Sequence, residues 1–194
     1  MGTEGEPEEY NYIYIQRHKD HMVGEKYLKS KWFKKYLPLY KSAVEYLPAV
    51  DKCGTIIDLG CGVGYLAKVL FEKGYTKYIG IDFSSAMLEE AKKQIPKVTF
   101  ILGDLRSKEI HEFFKQYKIF IILETLEHIE KDLDIIKDIS CGSLVVFSVP
   151  SFNSRFHVRY FKDIDEIIER FGSFLDFKES KKIGKKFLFK CIKK

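Results

Sequence analysis

The sequence predicts an α/β fold, a mainly parallel sheet with helices on both faces, and three observations carry that prediction. Five short apolar runs alternate with amphipathic segments, a glycine-rich turn joins the first run to the helix after it, and two further strand-like runs close the chain around Gly184. Parallel strands need crossovers long enough to hold a helix, so this alternation argues for one covered sheet.

Ahead of the alternation, "MGTEGEPEEYNY" reads as a polar, mobile start, and residues 25–50 as aromatic-rich helical structure interrupted near Pro38, which lacks the amide a helix interior needs. "TIIDLG" (55–60) is the first strand. "VGYLAKVLFEKG" (63–74) follows as a helix with Leu66, Val69 and Leu70 inward and Gly74 as its stop. "KYIGID" (77–82) is the second strand, and "SSAMLEEAKKQI" a helix with a serine cap. "KVTFILGD" (97–104), a short helix over 107–116 and "KIFIILE" (118–124) continue the pattern.

"EKDLDIIKDI" supplies a helix with Leu133 and Ile136 on one face, and "SLVVFSV" (143–149) a fifth strand ending at Pro150. In the next helix Phe161, Ile164, Ile167, Ile168 and Phe171 keep helical spacing, and Asp163 and Glu166 stand at capping-box spacing. "SFLDFKESKKI" and "KKFLFKCIKK" read as the closing antiparallel pair.

A chain of 194 residues suits a single domain, so residues 1–50 are expected to be an N-terminal helical segment of the same unit as residues 51–194. No apolar run approaches the ~18 residues of a membrane span, and the acidic start is unlike a signal peptide. Cys53, Cys61, Cys141 and Cys191 lack metal-site or disulfide spacing, which fits a reducing, cytoplasmic setting. The net charge of +5 invites a nucleic-acid reading, yet the cations are mostly lysines spread along the chain, a pattern more typical of a solvated surface.

"DLGCGVG" places Gly60, Gly62 and Gly64 between the first strand and its helix. Such glycines let the backbone turn tightly and approach a ligand beside unpaired helix amides, although a turn of this kind also serves packing alone. The bulky Tyr65 occupies the sixth position, where the dinucleotide fingerprint wants glycine or alanine, and no phosphate-loop motif is present. Asp82 ends the second strand, where a carboxylate accepts from a ribose diol, and Asp104 and Leu105 end the third, where an exocyclic amine and an adenine face would sit. A nucleoside without phosphates fits these features.

Through "IIDLGCGVGYL", "YIGIDFSSAMLEEA", "VTFILGDL" and "IFIILETLEHI" the chain resembles the class I S-adenosylmethionine-dependent methyltransferases over nearly residues 50–194. The resemblance implies a Rossmann-like seven-stranded sheet of order 3-2-1-4-5-7-6 with strand 7 antiparallel. It also implies S-adenosyl-L-methionine as cofactor, held by Asp58, Gly60, Cys61, Gly62, Asp82, Phe83, Met87, Asp104, Leu105 and Glu124. Tyr14 and Arg17 in "YNYIYIQRH" are candidates for an N-terminal lid that touches substrate.

Acceptor chemistry is expected past the fourth and fifth strands, at "IILETLEHIEK". The "ExLEH" spelling resembles ubiquinone-pathway O-methyltransferases and small-RNA 2′-O-methyltransferases, which implies a divalent metal, Mg or Mn, on Glu124, Glu127, His128 and His157. A metal-free base or substrate contact at His128, Glu127 and His157, or a structural role, stands beside that reading. The RNA group's extra recognition region and fuller histidine motif, and the ubiquinone group's membrane-contacting insertion, are not found in the sequence. Arg155 and Arg159 flank His157 and are candidates for binding an acceptor carboxylate or phosphate. The expected activity is methyl transfer to an oxygen or nitrogen of a small molecule, with an anionic one among the candidates, by a monomer or homodimer. An RNA 2′-O-methyltransferase and a non-catalytic nucleoside-binding module are the alternatives.

Overall fold

The computed structural model describes residues 4–18, with side chains through residue 12, and residues 29–194. Helix α1 spans Pro7–His18, a regular element within the stretch that the sequence suggested as a mobile start, with proline in its first turn and Glu8 and Glu9 beside the positive end of its dipole. Helix α2 (Lys31–Glu45) begins at Ser30, whose hydroxyl accepts from the Phe33 amide, and runs unbroken through Pro38. The expected interruption is absent because Pro38 faces solvent while Phe33, Leu39, Ala43 and Val44 bury the opposite face, each about 1–3 kcal/mol of burial against the ~3 kcal/mol a proline costs. Residues 25–28 of that expectation lie outside the described residues.

The strands are β1 (Ile56–Leu59), β2 (Tyr78–Asp82), β3 (Thr99–Leu102), β4 (Ile119–Leu123), β5 (Leu144–Pro150), β6 (Leu175–Ile183) and β7 (Lys186–Lys193). They form one sheet in the order β3-β2-β1-β4-β5-β7-β6, with β7 antiparallel to both neighbours, as the family resemblance implied. The crossovers are α3 (Tyr65–Glu72), α4 (Ser85–Gln94), α5 (Lys108–Phe114), α6 (Asp132–Asp138) and α7 (Ile164–Phe171). Ser84 and Ser107 cap α4 and α5 by accepting from the amides of Met87 and Ile110.

Two apolar cores lie on the two faces of the sheet. One gathers Leu39, Ala43, Leu66, Leu70 and Leu88 against Ile56 and Ile121, and the other gathers Phe114, Ile135, Ile167 and Phe171 against Ile57, Phe120 and Phe147. Ile168, expected inward with its helical neighbours, is 42% exposed, because the buried face of α7 is filled by Ile167 and Phe171. In the capping box, Asp163 accepts from the Glu166 amide as expected, but Glu166 reaches the amide of Lys162 instead of that of its partner. The outer strand β6 is exposed along Lys178–Lys182, a charged edge that discourages further strand pairing.

This topology matters for function through one edge. β1 lies between β2 and β4 in parallel register, so the loops beginning at Gly60, Phe83 and Glu124 leave the sheet side by side. That is where an open α/β sheet presents a ligand crevice.

Candidate functional site

At this edge lies an open cavity of ≈ 750 Å³, lined by Gly60, Gly62, Asp82, Phe83, Met87, Asp104, Leu105, Glu124 and His128 and covered by Glu4, Gly5 and Tyr10 from the N-terminal segment. Gly60 has φ +79°, and a Cβ there would stand 2.3 Å from Thr125 Oγ1, so no other residue fits. The Gly62 amide donates to Asp82 Oδ2 at 2.8 Å and the Ser84 amide to Oδ1 at 2.9 Å. Burial raises the Asp82 carboxyl above the usual carboxylate range, and these amides pull back against it.

Asp58 and Cys61 lie beneath the cavity and not in its wall. Asp58 accepts from the Tyr78 hydroxyl at 2.6 Å and is pushed up to about 7 by burial, while Cys61 is buried against the backbone of Gly80. Asp104 is gripped by Arg106, whose Nε and Nη2 donate to it at 2.9 and 2.7 Å. Burial raises the Asp104 carboxyl, but the guanidinium outweighs it and the net direction is down. The same guanidinium reaches both oxygens of Glu6 at 3.0 Å.

Glu124 occupies the left-handed region with φ +53°, a conformation that costs roughly 1 kcal/mol or more for a side chain other than glycine. Ser148, beside Leu123 in the β4–β5 register, stabilises it in both directions. The other Glu124 oxygen faces Lys186 Nζ at 3.8 Å. Burial pushes the Glu124 carboxyl up to about 7 against the pull of Lys186.

Glu127, His128 and His157 come together, with one ligand atom of each within 4.8 Å of the others; Glu124 stands outside this group. Glu127 is fully buried, and among the described residues neither carboxylate oxygen has a hydrogen-bond partner. Burial and then the nearby Glu124 charge drive its carboxyl well up. Each histidine turns Nδ1 to a backbone carbonyl, His128 to Phe156 at 3.0 Å and His157 to Phe152 at 3.1 Å. A carbonyl only accepts, so these two bonds require the proton on Nδ1 and leave the lone pair on Nε2; His128 Nε2 lies 3.9 Å from Glu127 Oε1. Burial, reinforced by His157, pushes His128 down to about 4.

The two arginines proposed for an acceptor anion are not alike. Arg159 donates to the carbonyls of Leu126, Ile129 and Glu130 and pairs with buried Asp132 at 3.1 Å, which Arg170 also holds. Its fork is used in fixing the loop after β4. Arg155 is exposed and lies over the Phe156 ring. The side chains of Tyr14 and Arg17 lie outside the described residues. Sequence reasoning missed Tyr10, whose hydroxyl sits 2.8 Å from His128 Nδ1, and Asn11, which accepts from Ser84 Oγ at 2.6 Å. The signal for them was the Pro7-Glu8-Glu9 helix start, which pointed to an ordered element there.

Residues 56–140 match the family model described as a methyltransferase domain. That stretch, somewhat under half of the chain, is similar to methyltransferase domains. The family model thus covers the glycine loop, Asp82, Asp104 and the Glu124–His128 stretch. Among curated proteins, the domain is similar to trans-aconitate 2-methyltransferase of Acidovorax sp. (strain JS42), 40% identical over 68 residues, 34% of this chain and 26% of that one. It is also similar to malonyl-[acyl-carrier protein] O-methyltransferase of Priestia megaterium (strain DSM 319 / IMG 1521), 36% identical over 75 residues, 37% of this chain and 26% of that one. The matched stretches span about a quarter of these relatives' length. Among solved structures, the magnesium protoporphyrin IX methyltransferase of Synechocystis PCC 6803 with bound S-adenosylmethionine has the same fold, with TM-score 0.68, 17% identity and coverage of 97% of each chain. The methyltransferase in complex with the Haloferax volcanii Trm112 activator gives TM-score 0.72 and 16% identity, covering 95% of this chain and 97% of that one. Among the described residues, no helix is long and apolar enough to cross a membrane.

Proposed function

We propose that this chain transfers a methyl group from S-adenosylmethionine to an oxygen or nitrogen of a small, anionic acceptor, and that Glu127, His128 and His157 hold a divalent ion beside that acceptor. One observation carries the reading: His128 belongs at once to the wall of the nucleoside-sized cavity and to the Glu127–His128–His157 cluster. Donor and acceptor sides therefore meet at a single side chain.

On the donor side, the Asp82 carboxylate that lines the cavity is suited to the ribose hydroxyls, Asp104 and Leu105 to the adenine, and the Gly60–Gly62 backbone to the methionine portion. The sulfonium supplies an activated methyl group, so the protein's task is in-line alignment and removal of the acceptor's proton. Partial relatives named for trans-aconitate and for the malonyl group favour an acceptor bearing a carboxylate.

The cluster favours metal ligation over base catalysis by His128 alone. An imidazole held near 4 is about three units too weak to take a proton well at neutral pH, but it is a good ligand because no proton competes. Fully buried carboxylate oxygens without a hydrogen bond are costly unless a cation meets them, and imidazoles whose Nδ1–H groups are tied to carbonyls are typical of ligating histidines. Two nitrogens and a carboxylate suit Mn or a similar ion, which when bound lowers the pKa of a coordinated acceptor and orients it.

The test is transfer of labelled methyl from S-adenosylmethionine to a panel of small carboxylic and phenolic acceptors and to RNA, with and without chelator. Label on a small acceptor, lost on chelation and restored by Mn, is the expected result. Label confined to RNA overturns the acceptor class, and transfer indifferent to chelator overturns the metal.

A further inference from the structure

We propose that Tyr10 is a positioning residue for His128, so that seating α1 over the cavity and orienting the acceptor-side imidazole are one event. The inference rests on the cofactor reading above and adds a coupling between the two halves of the site.

Tyr10 touches both halves. Its ring packs 5.0 Å from Phe83 on the cofactor side and 5.2 Å from Phe156 in the segment after β5. Its hydroxyl lies 2.8 Å from His128 Nδ1, and the two rings meet edge-on at 5.9 Å.

Other anchors of this segment lie on the cofactor side. Asn11 accepts from the Ser84 hydroxyl at 2.6 Å and the Ala86 amide at 3.4 Å, at the start of α4. Glu6 takes the Arg106 fork that also grips Asp104. A nucleoside that orders Asp82–Ser84 and Asp104 therefore favours the docked segment, and docking delivers the Tyr10 hydroxyl to His128.

What Tyr10 adds is a second direction of restraint. The Phe156 carbonyl alone leaves the imidazole free to rock about its one hydrogen bond. With Tyr10 Oη as a second acceptor of the Nδ1–H, in a three-centre bond shared with the Phe156 carbonyl, the ring plane is set and Nε2 is aimed toward Glu127 and His157. Binding on the two sides is then coupled, and by linkage the coupling is reciprocal.

The experiment measures Mn affinity with and without saturating S-adenosylhomocysteine, in the native chain and in Tyr10→Phe, which keeps the ring packing and removes only the hydroxyl. S-adenosylhomocysteine affinity is measured separately by calorimetry, and absence of that binding condemns the cofactor reading rather than the coupling. The expected result is that S-adenosylhomocysteine tightens Mn binding at least fivefold in the native chain and less than twofold in Tyr10→Phe, with S-adenosylhomocysteine affinity itself within threefold. Equal coupling in both proteins, or none in the native chain, overturns the proposal. Should the native chain bind no Mn in either state, the metal reading fails and the ring-nitrogen NMR signals of His128 decide. They are expected to move on S-adenosylhomocysteine binding in the native chain and not in Tyr10→Phe, and no movement in the native chain overturns the proposal.

Discussion

Glu124 and Ser148 hold one another through two hydrogen bonds, the Glu124 amide donating to Ser148 Oγ at 3.0 Å and Ser148 Oγ donating to Glu124 Oε1 at 2.9 Å. Because Glu124 sits at φ +53°, this pair keeps a strained residue in place at the mouth of the cavity. Ser148→Ala leaves a largely buried amide and a carboxylate oxygen without that partner, and the expected loss is about 1–3 kcal/mol. Urea unfolding checks this through a lower midpoint at unchanged slope. A midpoint equal to that of the native chain would mean that the strain is not held there.

Gly60→Ala meets two obstacles, the left-handed backbone and the Thr125 side chain 2.3 Å from the added carbon. A destabilisation of about 2–4 kcal/mol is expected. In a Thr125→Ala background, which removes both the hydroxyl 2.3 Å and the methyl 2.7 Å from that carbon, Gly60→Ala should cost less, and an equal cost in both backgrounds would place the conflict in the backbone alone.

Protonation of His128 opposes folding. Its folded pKa of about 4 lies below the ordinary 6.5, so the unfolded chain binds more protons between those values and stability rises with pH across that window. The contribution is fully present above about 6.5 and is lost as pH falls toward 4, up to about 3 kcal/mol in all. Asp58 and Glu124, each raised to about 7, act with the opposite sign, since they favour the folded chain when protonated and cost stability as pH rises toward 7. The difference between the native chain and His128→Gln isolates the histidine. Between pH 7 and pH 4.5 the native chain should lose more stability than the variant, and parallel curves would contradict the assignment.

Arg159→Met removes donors from three backbone carbonyls and one of two cations from fully buried Asp132. A loss of about 3–5 kcal/mol is expected, read as a fall in thermal midpoint. Arg155→Met, at an exposed site, should leave the midpoint within a degree or two.

The sheet was legible because period and punctuation agree: apolar strand runs, serine-capped helices and glycine stops repeat along the chain. The cavity wall was legible because the family motifs fall at the ends of adjacent strands. Pro38 was not, since a local helix breaker is overruled by a buried face that forms only in the tertiary structure. Arg159 was misjudged for a similar reason, because whether a cation faces solvent or three carbonyls depends on how the loop after β4 folds back. Tyr10 lies 118 residues from His128, and no local pattern announces a contact over that separation.

The central claim is that the edge beside Gly62, Asp82 and Asp104 binds S-adenosylmethionine. Calorimetric titration with S-adenosylhomocysteine, in the native chain and in Asp82→Ala, tests it most directly. The account predicts one site per chain with negative heat-capacity change, weakened at least tenfold in Asp82→Ala. No binding by the folded native chain at millimolar ligand, or equal affinity in the two proteins, would contradict it.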